Sequence, residues 1–177
     1  GDFPAMKRLI AAIAFAAEKH RNQRRKDAEA SPYINHPIAL ANVLANEAGI
    51  DDERVLIAAI LHDTIEDTET TVQELVKRFG QEVADIVLEV TDDKSLAKDE
   101  RKRLQVTHAR SISRRAKLVK LADKICNVRD SADCPPASWS LERRREYISW
   151  AASVVDQLRG VHPELERLSD DASKSPP

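Results

Sequence analysis

Glycine is scarce in this chain, with four among 177 residues, and that scarcity beside abundant Ala, Leu, Glu and Arg favours helices. Cysteine is scarcer still. Cys126 and Cys134 are too few for a metal-binding cysteine cluster or a disulfide framework, so the chain reads as a reduced, cytoplasmic protein with Cys126 packed in a helix. A basic surplus is missing: the formal net charge is −2. That argues against a nucleic-acid partner but leaves room for a local cationic pocket holding a phosphorylated small molecule. Long hydrophobic runs are missing too. Leu9 to Ala17 and Val55 to Leu61 are too short to span a bilayer, so no membrane association is expected. The first run follows Lys7 and Arg8 as in a secretion signal, but it enters Glu18 and Lys19 without a cleavage-like site. It reads as an amphipathic core helix.

Hydrophobic residues at 42% and charged residues at 33% fit a soluble globular protein, long enough for one domain with a real core. Pro4 suits the first turn of a helix reaching about His20. The basic stretch Arg21 to Asp27 leads into a loop at Ala28 to Tyr33. Asn35-His36-Pro37 opens the next helix, Gly49 closes it, and Asp51 or Asp52 caps the helix containing Val55 to Leu61. Thr71 to Glu74 has capping-box spacing, with Gly80 ending that helix, and Val83, Ile86, Val87 and Val90 mark another. Further helices are expected over about Asp99 to Ala109, about Ser113 to Asp130, and from a Ser140 cap to about Arg159. The polar, proline-ended tail 170–177 reads as disordered, which leaves 1–169 as the domain. No segment alternates as a strand. The fold class is all-α, a single-domain helical bundle.

His62-Asp63-Thr64-Ile65-Glu66-Asp67 emerges directly from the apolar run Val55 to Leu61. That run reads as buried, so its ionisable end faces protein, where charges are costly unless paired or bound to metal. On a continuous helix His62 and Glu66 share one face, as do Asp63 and Asp67. The result is a ligand pair with a carboxylate pair one turn further on. His36 lies at a helix entrance, and Asp123 lies on the otherwise apolar face of Leu118 to Lys124, with Asn127 one turn later. Two imidazoles and two carboxylates form a mixed nitrogen and oxygen shell, which favours Mn²⁺, Fe²⁺ or Zn²⁺ over Ca²⁺ or Mg²⁺.

The order of these residues resembles the HD metal-dependent phosphohydrolase superfamily, and more closely the hydrolase domain of the Rel/SpoT alarmone enzymes. The matching segments are Arg25-Lys26 with Tyr33-Ile34-Asn35-His36-Pro37, His62 to Asp67, Val90-Thr91-Asp92-Asp93-Lys94, and Lys120-Leu121-Ala122-Asp123-Lys124 with Asn127. Ordered segments over about residues 20 to 160 make the resemblance specific, and it is strongest to the small stand-alone alarmone hydrolases. It implies an HD-type helical bundle that hydrolyses the 3′-pyrophosphate of guanosine tetra- or pentaphosphate (ppGpp or pppGpp) in the stringent response. The products are GDP or GTP and pyrophosphate, and the usual cofactor is Mn²⁺.

By carry-over, His36, His62, Asp63 and Asp123 hold the metal, and Glu66 and Asp67 act on the water nucleophile, with the choice of base between them open. A metal can polarise a phosphoryl oxygen and lower the pKa of its water, and a carboxylate one turn away can orient that water or take its proton. Arg25 and Lys26 are the first choices for phosphate contacts, and similarity adds Lys98 and Arg143. Asn127 is placed at the ribose and Tyr147 on the base. The chain departs from the long Rel enzymes in the loop Asp27 to Pro32, which is longer than their Ser-Gly-Glu-Pro stretch and puts Asp27 at the serine position. Rival readings are an NADPH 2′-phosphatase or other HD nucleotide phosphohydrolase, and a non-catalytic nucleotide-binding or antitoxin module.

Plainer readings stand beside these. His36 alone fits a capping or core histidine, and Asp123 could pair with Lys120 or Lys124. Asp63 and Asp67 could merely end a helix, although acids there oppose the macrodipole. Arg101, Lys102, Arg103, Arg144 and Arg145 read as solvated helix faces. Tyr147, Trp139 and Trp150 divide between core packing and substrate stacking, and His20, His108 and His162 receive no role.

Overall fold

A computed structural model describes residues 3–174. In chain order the helices are α1 (Phe3–Lys19), α2 (Asn35–Asn42), α3 (Glu53–Leu61), α4 (Thr64–Asp67), α5 (Val72–Phe79), α6 (Gln81–Val90), α7 (Lys98–His108), α8 (Arg114–Asp133), α9 (Leu141–Asp156) and α10 (Pro163–Lys174). Among the described residues there is no strand, only the isolated bridges Arg24 to Pro32 and Asp27 to Pro136. The fold is all-α, and no described helix is long and apolar enough to cross a membrane.

α3 is the axis of the bundle because it is apolar on every side. Val55, Ile57, Ala58, Ala59, Ile60 and Leu61 are all buried, the pattern of a helix enclosed by others. α1, α2, α6 and α8 pack around it. Of the two expected caps, Asp52 is the one used: its carboxylate accepts the Arg54 N–H at 3.0 Å, a contact worth about 1 kcal/mol. α2 continues as a π-helical turn over Val43–Glu47, and Gly49 at φ 66° ends it. α8 buries Leu118, Val119, Leu121, Ala122 and Ile125 against the core and carries Asp123 on its remaining face. Cys126 is buried there, as expected, and burial pushes its thiol up to about 12.

Two expectations fail. The helix of His62 is not continuous: α3 stops at Leu61, Asp63 adopts φ −104° and ψ 3°, and the chain re-enters a helix only at Thr64. The carbonyls that would have continued α3 are taken by side chains instead. The His62 Nδ1–H donates to the Ala59 carbonyl at 2.8 Å and the Thr64 hydroxyl to the Leu61 carbonyl at 2.7 Å. The tail is the second failure. Residues 170–174 belong to α10, where Leu165, Leu168 and Ala172 are buried and Asp170 accepts from Arg159 at 2.7 Å. Apolar residues spaced along one face anchor what composition alone marks as a loose end; 175–177 lie outside the described residues. His162, given no role, accepts the Leu165 N–H at 3.1 Å and so caps α10.

Candidate metal centre and nucleotide pocket

Three elements converge where α3 breaks. His36 comes from the first turn of α2, His62 from the end of α3 and Asp123 from the middle of α8. The ligand atoms of these residues lie within 4.8 Å of one another. His36 Nε2 is 3.0 Å and His62 Nε2 3.6 Å from Asp123 Oδ1, and His62 Nε2 is 3.0 Å from Asp63 Oδ2. Because a carbonyl can only accept, the bond to Ala59 puts the neutral His62 proton on Nδ1 and leaves Nε2 with a lone pair. That nitrogen is fully buried and aligned with no hydrogen-bond partner although two carboxylates lie beside it.

A lone pair facing carboxylate oxygens is stable only with a proton or a metal cation among them. Burial opposes protonation of His62, yet Asp63 and Asp123 outweigh it and raise the imidazole well above its ordinary value. Burial likewise works against the charged forms of Asp123 and Asp63. The Lys124 ammonium and the imidazoles beside Asp123, and His62 beside Asp63, more than offset it and hold both carboxyls below the usual range. The donor set therefore fits a divalent metal. Asp63 sits at the edge of this set: its contact is His62, and the Tyr33 hydroxyl donates to it. Asn127 donates to Asp123 Oδ1 at 3.2 Å and Lys124 to Oδ2 at 3.3 Å, fixing the ligand.

Glu66 and Asp67 are neighbours in α4 and point apart. Glu66 turns toward the end of α6 and accepts the Asp92 N–H at 2.7 Å. Burial, against that bond and with Asp63, Asp92 and Asp67 adding to it, pushes Glu66 up to about 7. Asp67 lies between the loop after α1 and the loop after α6: Gln23 of the first donates to its Oδ2 at 3.3 Å and Lys94 of the second to its Oδ1 at 2.7 Å. His20, also given no role from sequence, is buried and holds Gln23, Nδ1 to Oε1, at 2.7 Å. The signal was available in the spacing of His20 and Gln23 on one helical turn, but only the fold brings Asp67 to them.

These groups form the floor of a cavity of about 760 Å³. All the candidate residues line it: Arg25, Lys26, Lys98, Asn127, Arg143 and Tyr147 as well as the metal and acid groups. Their states differ. Arg25 is paired with Asp130 at 2.9 Å and lies over the Tyr33 ring, and Arg143 stacks on Trp139. Lys98 is held below its ordinary value by burial and by nearby Arg143, Lys102 and Lys26, the mark of cations with too few anions among them. Tyr147 sits between Trp139 and Trp150 with ring centroids 5.4 and 5.5 Å away. Trp150 is structural, donating to the Lys102 carbonyl at 3.1 Å. Asp27 spends its carboxylate within its own loop, accepting from the N–H and hydroxyl of Ser31. Arg101 and Lys102, expected to be solvated, line the cavity too, whereas Arg103 pairs with Glu100 at the surface.

The Glu66 environment has a measurable consequence for the metal-free protein. Its folded pKa exceeds the unfolded value, so the fold holds this proton most firmly below about pH 4.5 and loses that contribution as pH rises through about 7. Glu66→Gln keeps an acceptor for Asp92 and has no charge to bury. Urea unfolding is expected to find the variant more stable than the parent by about 3 kcal/mol at pH 8, at 1.4 kcal/mol per pH unit, and nearly equal at pH 4. Equal stability at pH 8 would contradict this account.

The chain matches the family model described as HD domain over residues 12–149. The guanosine-3′,5′-bis(diphosphate) 3′-pyrophosphohydrolase MESH1 of Xenopus tropicalis is 57% identical, the alignment covering 92% of this chain and 90% of that protein. The protein of the same name from Homo sapiens is 58% identical over 89% of this chain and 88% of its own. A solved metazoan orthologue of SpoT that hydrolyses ppGpp superposes with a TM-score of 0.91 at 50% identity, covering 93% of each chain. The expected resemblance holds. With its family model, its relatives and its fold in agreement, this chain belongs to the HD domain family and groups with the small stand-alone SpoT homologues.

Proposed function

We propose that the protein hydrolyses the 3′-pyrophosphate of ppGpp and pppGpp, releasing GDP or GTP and pyrophosphate, with one Mn²⁺ per site. The observation that carries this reading is the two-ended cavity. A buried His36, His62 and Asp123 cluster and two reactive carboxylates form the floor, and cations with aromatic rings form the mouth. Relatives above 50% identity bearing this activity in their names support it.

Bound among His36, His62, Asp63 and Asp123, the metal would supply Lewis-acid polarisation of a phosphoryl oxygen and a more acidic water. The chain supplies the rest. Glu66, whose carboxyl is raised by burial until a metal cation beside it favours the ionised form, accepts the proton of the attacking water. Asp67, held by Gln23 and Lys94, orients that water. The water oxygen bonds to the phosphorus on O3′, and the bond from that phosphorus to O3′ breaks. O3′ takes up a proton from solvent to leave as the hydroxyl of GDP or GTP, while Glu66 returns the proton it accepted to solvent. Lys26, Lys98 and Arg143 draw the polyanion into the mouth, and Tyr147 and Trp139 offer faces to the base.

The test is product release with Mn²⁺ from ppGpp, NADPH and deoxynucleoside triphosphates in parallel. Pyrophosphate and GDP from the first are expected. An untouched ppGpp with phosphate released from NADPH would move the assignment to the 2′-phosphatase reading, and no turnover of any would favour a binding module.

A further inference from the structure

We infer that Arg101 and Lys120 form an anion subsite on the Glu66 side of the cavity, which takes the terminal phosphate of the substrate's pyrophosphoryl group and holds the pyrophosphate product. The ligand assigned to it rests on the proposed activity; the site itself rests on two uncommitted cations. Lys120 projects from α8 with 7% of its surface exposed. Its neighbours Glu66, Asp92 and Asp123 are close enough to influence it, yet among the described residues its ammonium has neither an ion pair nor a hydrogen bond. Burial holds it below its ordinary value. A largely buried lysine whose ammonium faces a cavity without a protein partner fits a site that an anion completes. Arg101, on α7, has a buried Nε with no hydrogen-bond partner and likewise enters no ion pair among the described residues.

Both cations stand in a wall, with Asp92 and Gln105, between the main cavity and a smaller one of about 270 Å³ under the 91–97 loop. The acids of that smaller cavity are already engaged. Glu89 accepts from the hydroxyl and N–H of Ser113, Asp92 from Gln105 at 2.6 Å, and Asp93 from the hydroxyl and N–H of Ser95. Those bonds come from neutral donors and leave the carboxylates charged, but the wall itself, Arg101, Lys120, Asp92 and Gln105, carries two cations against one carboxylate. Gln105 Oε1, also buried and unpartnered, suits the hydroxyl of a protonated phosphate. A guanidinium and an ammonium on one phosphate give charge-assisted hydrogen bonds from two directions. The location follows the chemistry: Glu66 marks the side of the attacked phosphorus, and the nucleoside is held at the mouth by Arg143 and Tyr147, so the terminal phosphate falls toward α7 and Lys120.

Calorimetric titration of the Mn²⁺-loaded parent, Arg101→Gln and Lys120→Gln with pyrophosphate and with GDP, at constant free Mn²⁺, tests this. Each variant is expected to bind pyrophosphate about tenfold more weakly or worse and GDP within about twofold of the parent. Pyrophosphate affinity unchanged in both variants, or pyrophosphate and GDP affinities falling together, would overturn the subsite. Arg101→Gln removes no described contact, so it answers the question even where Lys120→Gln fails to fold. Binding is read without turnover, so a parent that leaves ppGpp intact overturns the activity and not the cation pair.

Discussion

His62→Ala is expected to lose its metal and, with it, at least about a thousandfold in ppGpp turnover, since Lewis-acid stabilisation of a phosphoryl-transfer step supplies several kcal/mol. The reason is local. His62 ends α3 by donating Nδ1–H to the Ala59 carbonyl, and that bond aims Nε2 at Asp63 and Asp123. One ring thus closes a helix and orients a ligand. Alanine leaves the two carboxylates facing a void, with their charges no longer offset. It also removes the side-chain bond to the Ala59 carbonyl and leaves it only the long backbone N–H contact of residue 62 at 3.5 Å. Asp123→Asn separates the two effects: it keeps the shape, removes one negative ligand and is expected to lower metal content without comparable destabilisation. The measurement is metal per chain by mass spectrometry beside turnover, with Mn²⁺ added back after chelation. Restored turnover is expected in the parent and not in the variants. A His62→Ala protein carrying one Mn²⁺ per chain at parental turnover would rule out the assigned centre.

Loss of chemistry with the metal retained is the second large effect. Glu66→Gln is expected to reduce turnover by about 10²–10⁴-fold, the usual worth of a positioned proton acceptor, at unchanged metal content. Asp67→Asn is expected to fall by about a hundredfold, because Gln23 still holds an amide at that place while the ion pair with Lys94 is gone. The pH profile separates the roles. A base works only when unprotonated, so the parent rate rises as Glu66 loses its proton, at or below about pH 7 because a cation beside it favours the ionised form. That limb should vanish in Glu66→Gln and survive in Asp67→Asn. If it survives in Glu66→Gln and vanishes in Asp67→Asn, the two carboxylates exchange roles. Parental rates in both variants would return the protein to the class of binding modules.

Much of the site was legible before any fold was known, for a physical reason. Ionisable residues at the end of an apolar run are too costly to bury without purpose, so His62 to Asp67 stood out, and His36 followed from its place at a helix entrance and Asp123 from its apolar helical face. What could not be read was direction. A continuous helix would put His62 and Glu66 on one face. The break at Asp63 instead assigns His62 to the end of α3 and Glu66 to α4, because side-chain bonds to the Ala59 and Leu61 carbonyls displace the backbone ladder. Arg101 looked solvated because it lies in a run of basic residues, and its place in the cavity wall depends on where α7 rests.

The sequence by itself determined the all-α class, most helix limits, the caps at Thr71 and Ser140 and the ionisable end of the apolar run in α3. These are short-range properties, set by periodicity, capping chemistry and the cost of buried charge. Only the tertiary structure decided that Gln23 and Lys94 hold Asp67, that Asp92 meets Glu66, that α10 extends through residues 170–174, and that Arg101 and Lys120 share a wall. Each of these joins groups far apart in the chain, and only the packing of helices around α3 sets the distance between them.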